Sequence, residues 1–202
     1  MNAILGLLKL LQNTELTPQQ LDYTSKTEGA AKSLLGLLND ILDFSKIDAG
    51  KMALDPQPFG VLPMLRDLSV IVSANVGAKP VEVVFDIDPQ TPKALMGDAL
   101  RLLQVLINLS GNAIKFTDTG RVDVSVEATE TSDARYVVRF RVSDTGIGIP
   151  DEHLPKIFEP FYQVERGTNR KYGGTGLGMA ISKEHVARLG GHIEVRSTIG
   201  EG

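Results

Sequence analysis

Between Gln19 and Ala49 the apolar residues return in steps of four and three, which commits this stretch to a long helix. Ala30, Leu34, Leu37, Ile41, Phe44 and Asp48 follow 4-3-4-3-4 spacing, close to a heptad seam. Leu35, Leu38 and Leu42 widen the stripe beyond what a single partner helix needs. Upstream, residues 2–11 place Ile4, Leu7, Leu8 and Leu11 at helical spacing. Thr17 is an N-cap candidate, with Pro18 at the first helical position and Gln20 three residues on, the pattern of a capping box. Two such helices joined by Asn13–Pro18 form an antiparallel hairpin. A hairpin of ~50 residues buries too little apolar surface alone, so the expected solution is a homodimer through the hairpin, a four-helix bundle.

The rhythm changes after Gly50 and the Pro56-Gln57-Pro58 stretch. Residues 59–78 read as mainly helical through Leu62, Leu65, Leu68 and Val72. Val81–Ile87 alternates between Pro80 and Asp88-Pro89 and reads as a strand. Gly97–Phe116 is amphipathic helix carrying Leu100, Leu103, Leu106, Ile107 and Ile114. Arg121–Glu127 and Tyr136–Ser143 read as an antiparallel strand pair across a loop at Glu130–Ala134. Leu177–Leu189 is a closing helix stopped by Gly190-Gly191, and His192–Ser197 reads as a further strand. The fold class is therefore α+β. The helical hairpin (1–58) is followed by an α/β sandwich with a mixed sheet and helices on one face (59–202).

Composition narrows the chemistry. The chain has 202 residues, enough to bury a core, and none is cysteine, which removes thiolate nucleophiles, thiolate metal sites and disulfides. No apolar run approaches the ~20 residues of a membrane span, and no secretory signal follows Met1. Neither nucleic-acid binding nor direct membrane contact is expected of a segment with net charge -4. Of 20 glycines, 11 lie between Gly146 and Gly202. That bias directs attention to the last quarter of the chain.

Three clusters carry chemistry. Asn108, Asn112 and Lys115 are spaced by four and three, so one helix face presents all three. An amide oxygen is a hard neutral ligand suited to Mg²⁺, and a lysine is a point charge suited to phosphate. The plain alternative is a solvated polar helix face. Asp144-Thr145-Gly146-Ile147-Gly148-Ile149 follows a strand directly. Its glycines let backbone approach a planar ligand, and its carboxylate can accept from an exocyclic amine; a glycine-bearing turn with a surface aspartate is the simpler reading. Gly173-Gly174-Thr175-Gly176-Leu177-Gly178 opens a helix, where exposed N–H groups and the dipole favour an anion; a flexible hinge is its alternative. It lacks the Gly-Lys-Ser/Thr of a P-loop and the strand context of a dinucleotide fold. Between these runs lie Phe158-Glu159-Pro160-Phe161-Tyr162-Gln163 and the polar stretch Glu165–Lys171, the composition of a lid over a nucleotide; a surface loop pinned by two core phenylalanines is the plainer reading, and the two are compatible.

In this order the segments resemble the N, G1, F and G2 boxes of the sensor histidine kinase catalytic domain, over about residues 59–202. LLNDILDFSKIDAGKM (37–52) resembles the second helix of that family's dimerisation and phosphotransfer hairpin, especially in hybrid kinases, and MNAILGLL resembles the first helix just after its phosphoacceptor box. The resemblance implies ATP and Mg²⁺ as cofactors. Asn112 would ligate Mg²⁺, Asn108 would order the phosphate side and Lys115 would contact phosphate. Asp144 would take the adenine amino group, with Gly146 and Gly148 shaping the adenine pocket. Gly174, Thr175, Gly176, Leu177 and Gly178 would hinge the lid and meet phosphate. The implied reaction is in-line transfer of the ATP γ-phosphoryl group to an imidazole, then to an aspartate of a response-regulator receiver domain. A cytoplasmic location is implied for the segment, with the intact parent compatible with an inner-membrane sensor.

One departure stands against these matches. The family's acceptor histidine falls about six residues before Met1, and relatives continue beyond RSTIGEG into another strand, so both ends are expected to be trimmed. His153, His185 and His192 sit where structural or solvated histidines sit, so the expectation is Mg-ATP binding without autophosphorylation at the usual site and no catalytic residue of its own. Two alternatives stay open. A hydrolase of the wider ATPase superfamily would need an acid on the asparagine-bearing helix, and 100–116 has none. A dimeric docking module with vestigial ATP binding would keep the hairpin and leave the boxes idle.

Overall fold

A computed structural model describes residues 1–131, 135–164 and 174–202, in two compact units, 1–52 and 53–202. The first unit holds α1 (Asn2–Gln12) and α2 (Pro18–Asp48). Thr17 Oγ1 accepts from Gln20 N at 3.3 Å and Gln20 Oε1 accepts from Thr17 N at 2.9 Å, so the capping box read from the sequence starts α2. Over residues 18–35 the covered positions of α2 are Thr24, Glu28, Ala31 and Leu35, and those of α1 are Leu5, Leu8 and Gln12. Gln12 Nε2 donates to Glu28 Oε2 at 3.0 Å. Lys32 and then Gln12 hold the Glu28 carboxyl below the usual carboxylate range by hydrogen bonding. The stripe that closes the hairpin thus mixes three leucines with small and polar residues. The leucine-rich seam of the sequence lies on other faces, with Leu34, Ile41 and Leu42 of α2 and Ile4, Leu7 and Leu11 of α1 all exposed.

The second unit runs β1 (Gln57–Gly60), α3 (Val61–Val76), β2 (Val81–Ile87), β3 (Ala94–Gly97), α4 (Ala99–Phe116), β4 (Gly120–Glu130), β5 (Tyr136–Asp144), a 3-10 turn (Leu154–Lys156) and α5 (Gly178–Arg188). The central sheet has the order β2-β4-β5. Strands β2 and β4 are parallel, with Val81 opposite Gly120, and α4 lies in the long crossover that a parallel pair requires. Strands β4 and β5 form the expected antiparallel hairpin. Period-two alternation sends Val122, Val124 and Val126 of β4 inward, together with Val138, Phe140 and Val142 of β5. They meet Val61, Met64, Leu65, Leu68 and Val72 of α3 and Leu106, Ala113 and Ile114 of α4. Leu68 is fully buried, so Leu68→Ala should cost about 2–5 kcal/mol of stability, read as a fall in melting temperature of this unit.

Some sequence expectations change here. Gln57 and Pro58, grouped with the hairpin by the sequence reading, are strand residues paired with Gly97 and Met96. Strands β1 and β3, four residues each, are too short for periodicity to reveal, and edge pairing tolerates the proline that reads as a breaker. Residues 192–197 keep the alternating burial of a strand without ladder bonds to any described strand, so the expected last strand is absent there. Instead 197–202 close into a turn, with Thr198 N donating to Gly202 O at 2.8 Å. His153 is the N-cap of the 3-10 turn at Leu154–Lys156. Among the described residues no helix is long and apolar enough to cross a membrane.

Candidate nucleotide site

Helix α4 is the spine of the site. Asp98 caps it, Oδ1 accepting from Arg101 N at 3.1 Å. Its face bearing Asn108, Asn112 and Lys115 is half-buried rather than solvated, which disfavours the plain reading of those residues. All three face the segment from Gly174 to Ser182. Asn108 Nδ2 donates to Ser182 Oγ of α5 at 2.9 Å, and a Cβ on Gly178 would fall on the Asn108 amide. Asn112 Nδ2 lies 3.6 Å from Met179 Sδ. Lys115 Nζ sits 3.4 Å from where a Cβ on Gly174 would be. Burial pushes the Lys115 ammonium below the ordinary lysine range, and Nζ stands 4.9 Å from the Phe116 ring centroid.

The glycine loop after β5 joins the same helix at its last residue. Ile147 N donates to Phe116 O at 3.3 Å, and a Cβ on Gly146 would lie 2.6 Å from that oxygen. Asp144 continues the inward row of Val138, Phe140 and Val142, so strand alternation aims its carboxylate at the helical layer. Gly146 N donates to Asp144 Oδ1 at 2.9 Å, which holds the side chain in an Asx turn. Gly148 adopts φ 70, a left-handed conformation, with the Thr198 carbonyl where a side chain would stand. Ile149 N donates to Ser197 Oγ at 2.7 Å and Gly200 N to Ile147 O at 2.9 Å, so the C-terminal turn braces this loop.

The start of α5 is built on the same economy. Thr175 Oγ1 accepts from Leu177 N at 3.0 Å, and buried Leu177 occupies the N-cap position without a side-chain cap bond. Gly176, with φ 72, lies against the backbone of Phe161, itself at φ 63, and Phe161 N donates to Gly176 O at 2.9 Å. An uncapped helix N-terminus beside an ammonium suits an anion. The proposed lid, 165–171, and Gly173 lie outside the described residues. Met179, Ser182, Lys79 and the 197–202 turn escape sequence reading because no motif marks them. Their roles come from contacts with α4 and the loop across long separations.

The histidines are distributed as follows. His185 is fully buried on α5. His153 Nδ1 lies 2.6 Å from Tyr162 Oη, and His192 is exposed with Nε2 3.6 Å from Glu194. Among the described residues no cluster of carboxylates and histidines could hold a metal by itself.

Residues 97–202 match the family described as "Histidine kinase-, DNA gyrase B-, and HSP90-like ATPase", and residues 1–50 the "His Kinase A (phospho-acceptor) domain". Sensor histidine kinase GacS of Pseudomonas protegens is 45% identical over 202 residues, all of this chain and 22% of that protein. Signal transduction histidine-protein kinase BarA of Escherichia coli K12 is 38% identical over 197 residues, 98% of this chain and 22% of that protein. The chain thus spans about a fifth of the length of these curated relatives. The crystal structure of full-length ShkA in complex with AMPPNP superposes with a TM-score of 0.77 at 34% identity, over 99% of this chain and 40% of that one.

Proposed function

This chain belongs to the histidine kinase family, as a core of phospho-acceptor-type hairpin and kinase-type ATPase domain, and on that premise we propose that it binds Mg-ATP and serves phosphoryl transfer in a hybrid sensor kinase. The observation that carries this reading is the convergence on α4: Asn108, Asn112 and Lys115 face the start of α5, while Phe116 O anchors the Asp144–Gly148 loop.

In this reading Asp144 accepts from the adenine amine, and Gly146 and Gly148 keep the pocket wall free of side chains. Lys115 and the N-terminus of α5, with Thr175, Gly176, Leu177 and Gly178, receive the phosphates. The Asn112 amide oxygen holds Mg²⁺, and Asn108, tied to Ser182, orders the phosphate side. A neutral amide, with no carboxylate cluster among the described residues, fits an ion that draws most ligands from phosphate and water. Bound there, Mg²⁺ would supply charge neutralisation. The residues align the γ-phosphorus with an incoming imidazole nitrogen; the new N–P bond forms as the bond to the β–γ bridging oxygen breaks, releasing ADP.

None of His153, His185 and His192 is the acceptor in this scheme: one is fully buried, one is engaged with Tyr162 and one is exposed beside Glu194. The acceptor imidazole comes from outside these 202 residues, and the phosphoryl group then passes to a receiver-domain aspartate. The exposed leucine faces of α1 and α2 support dimerisation through the hairpin. With labelled Mg-ATP the chain should leave its own histidines unlabelled and phosphorylate a supplied His-bearing hairpin, and Asn112→Ala should remove most of that transfer. Label on any of the three histidines, or transfer undiminished in Asn112→Ala, would overturn the assignment. Light scattering should return a dimer at tens of micromolar, and a monomer there would count against the bundle.

A further inference from the structure

Lysine 79 belongs to no motif, yet it ends the helix on which the candidate site is built. Helix α4 stops without a glycine in the left-handed conformation; Thr117 follows with φ -102 and ψ 113. Its last carbonyls therefore need partners from elsewhere in the fold. Thr117 N takes Ala113 O at 3.0 Å. Lys79 Nζ donates to Ile114 O at 2.8 Å, Lys115 O at 3.0 Å and Thr117 O at 3.1 Å, with Asp118 Oδ1 at 3.8 Å. The remaining carbonyl, Phe116 O, is the one that accepts from Ile147 N. One ammonium and one loop amide thus share the final turn of α4, and that turn carries Lys115.

The sheet explains how Lys79 reaches it. Val81 is opposite Gly120 in the parallel β2–β4 pair, and Gly120 N donates to Pro80 O at 3.2 Å. The chain just before β2 is thereby held beside the chain just before β4, which is the C-terminus of α4. A cation at the negative end of a helix gains from the dipole as well as from the three hydrogen bonds.

We infer that Lys79 is a positioning residue for nucleotide binding: by clamping the last turn of α4 it sets Phe116 O under the Gly146–Ile147 loop and places the Lys115 ammonium. This inference rests on the nucleotide-site reading above. Lys79→Met keeps the aliphatic stem and removes the donors. It should weaken Mg-ATP binding about 3- to 30-fold, and Lys79→Arg, which can still donate to two carbonyls, should recover most of the loss.

Two further measurements separate positioning from bulk stability. Val126→Ala trims the core on β4, away from the clamp, and should lower the melting temperature without moving the nucleotide Kd. In nucleotide-free protein, hydrogen exchange at the Ile147 amide should accelerate in Lys79→Met and not in Val126→Ala. If Lys79→Met lowers the melting temperature but binds Mg-ATP like the wild type, the inference is overturned. It is likewise overturned if Val126→Ala weakens binding as much, or if the Ile147 amide keeps its protection. A wild-type chain that fails to bind Mg-ATP, while Lys79→Met still exposes the Ile147 amide, sinks the nucleotide reading and leaves the clamp standing.

Discussion

Asp144→Asn should bind Mg-ATP about 100-fold more weakly than the wild type while melting at nearly the same temperature. The substitution divides the two tasks of this side chain. Oδ1 accepts from Gly146 N and holds the loop, and an asparagine amide oxygen can keep that bond. The other oxygen is the one proposed to meet the adenine amine, and asparagine replaces it with an NH₂ donor facing a donor. A hydrogen bond to a charged group, worth about 1.5–3 kcal/mol, is lost, and a buried donor is left unmatched at about 1–3 kcal/mol. Together these amount to about 2.5–6 kcal/mol, of which the lower end is about two decades in Kd. The same argument gives a second readout: guanine presents a carbonyl acceptor at that position, so any preference for ATP over GTP should narrow. Calorimetry with both nucleotides measures this, and an unchanged ATP affinity would remove Asp144 from the base-recognition role. Asp144→Ala is the less informative variant, because it also frees Gly146 N.

Gly148→Ala should lower the melting temperature of the second unit by about 5–15 °C. Two penalties combine. The residue sits at φ 70, where an alanine costs about 1–2 kcal/mol relative to its preferred conformations. Its Cβ would fall on the Thr198 carbonyl and within 2.9 Å of Ile199 Cα. Both obstacles are backbone, so no rotamer change relieves them, and overpacking of this kind costs about 1–3 kcal/mol more. The loop would have to leave the 197–202 turn, losing the bonds of Ile149 N to Ser197 Oγ and Gly200 N to Ile147 O, and the proposed adenine pocket with them. Gly29 provides the contrast: a Cβ there meets nothing within 4 Å, and alanine in a helix is favoured over glycine by about 1 kcal/mol. Equal melting temperatures for Gly148→Ala and Gly29→Ala would show that the loop is not held as described.

Much of the architecture is legible in local pattern. The capping box at Thr17, the 3.6-residue rhythm of α4 and the alternation of β4 and β5 are interactions between near neighbours, and near neighbours are what a sequence displays. Within each cluster the spacing of Asn108, Asn112 and Lys115 and of the glycines after Asp144 was legible for the same reason, and the order of the clusters along the chain carried the family resemblance. Strands β1 and β3 were not, since each has four residues and is defined only by the other. Nor was the final turn, because alternating Ile193, Val195 and Ser197 carry a strand's pattern whether or not a ladder forms.

The hairpin shows where the boundary lies. Periodicity determined that residues 18–48 are helical and apolar on more than one side. It could not say which side closes against α1. That choice fell to Thr24, Glu28, Ala31 and Leu35, and it left Leu34, Ile41 and Leu42 exposed. Lys79 is the same lesson at the proposed site. By itself the sequence determined the longer helices and strands from residues within a few turns of one another, and the family from the order of its motifs. Only the tertiary structure decided that a lysine before β2 would satisfy three carbonyls 35, 36 and 38 residues away. The reason is that a helix end must find partners for its carbonyls wherever the fold supplies them, and a parallel strand register brought that lysine within reach.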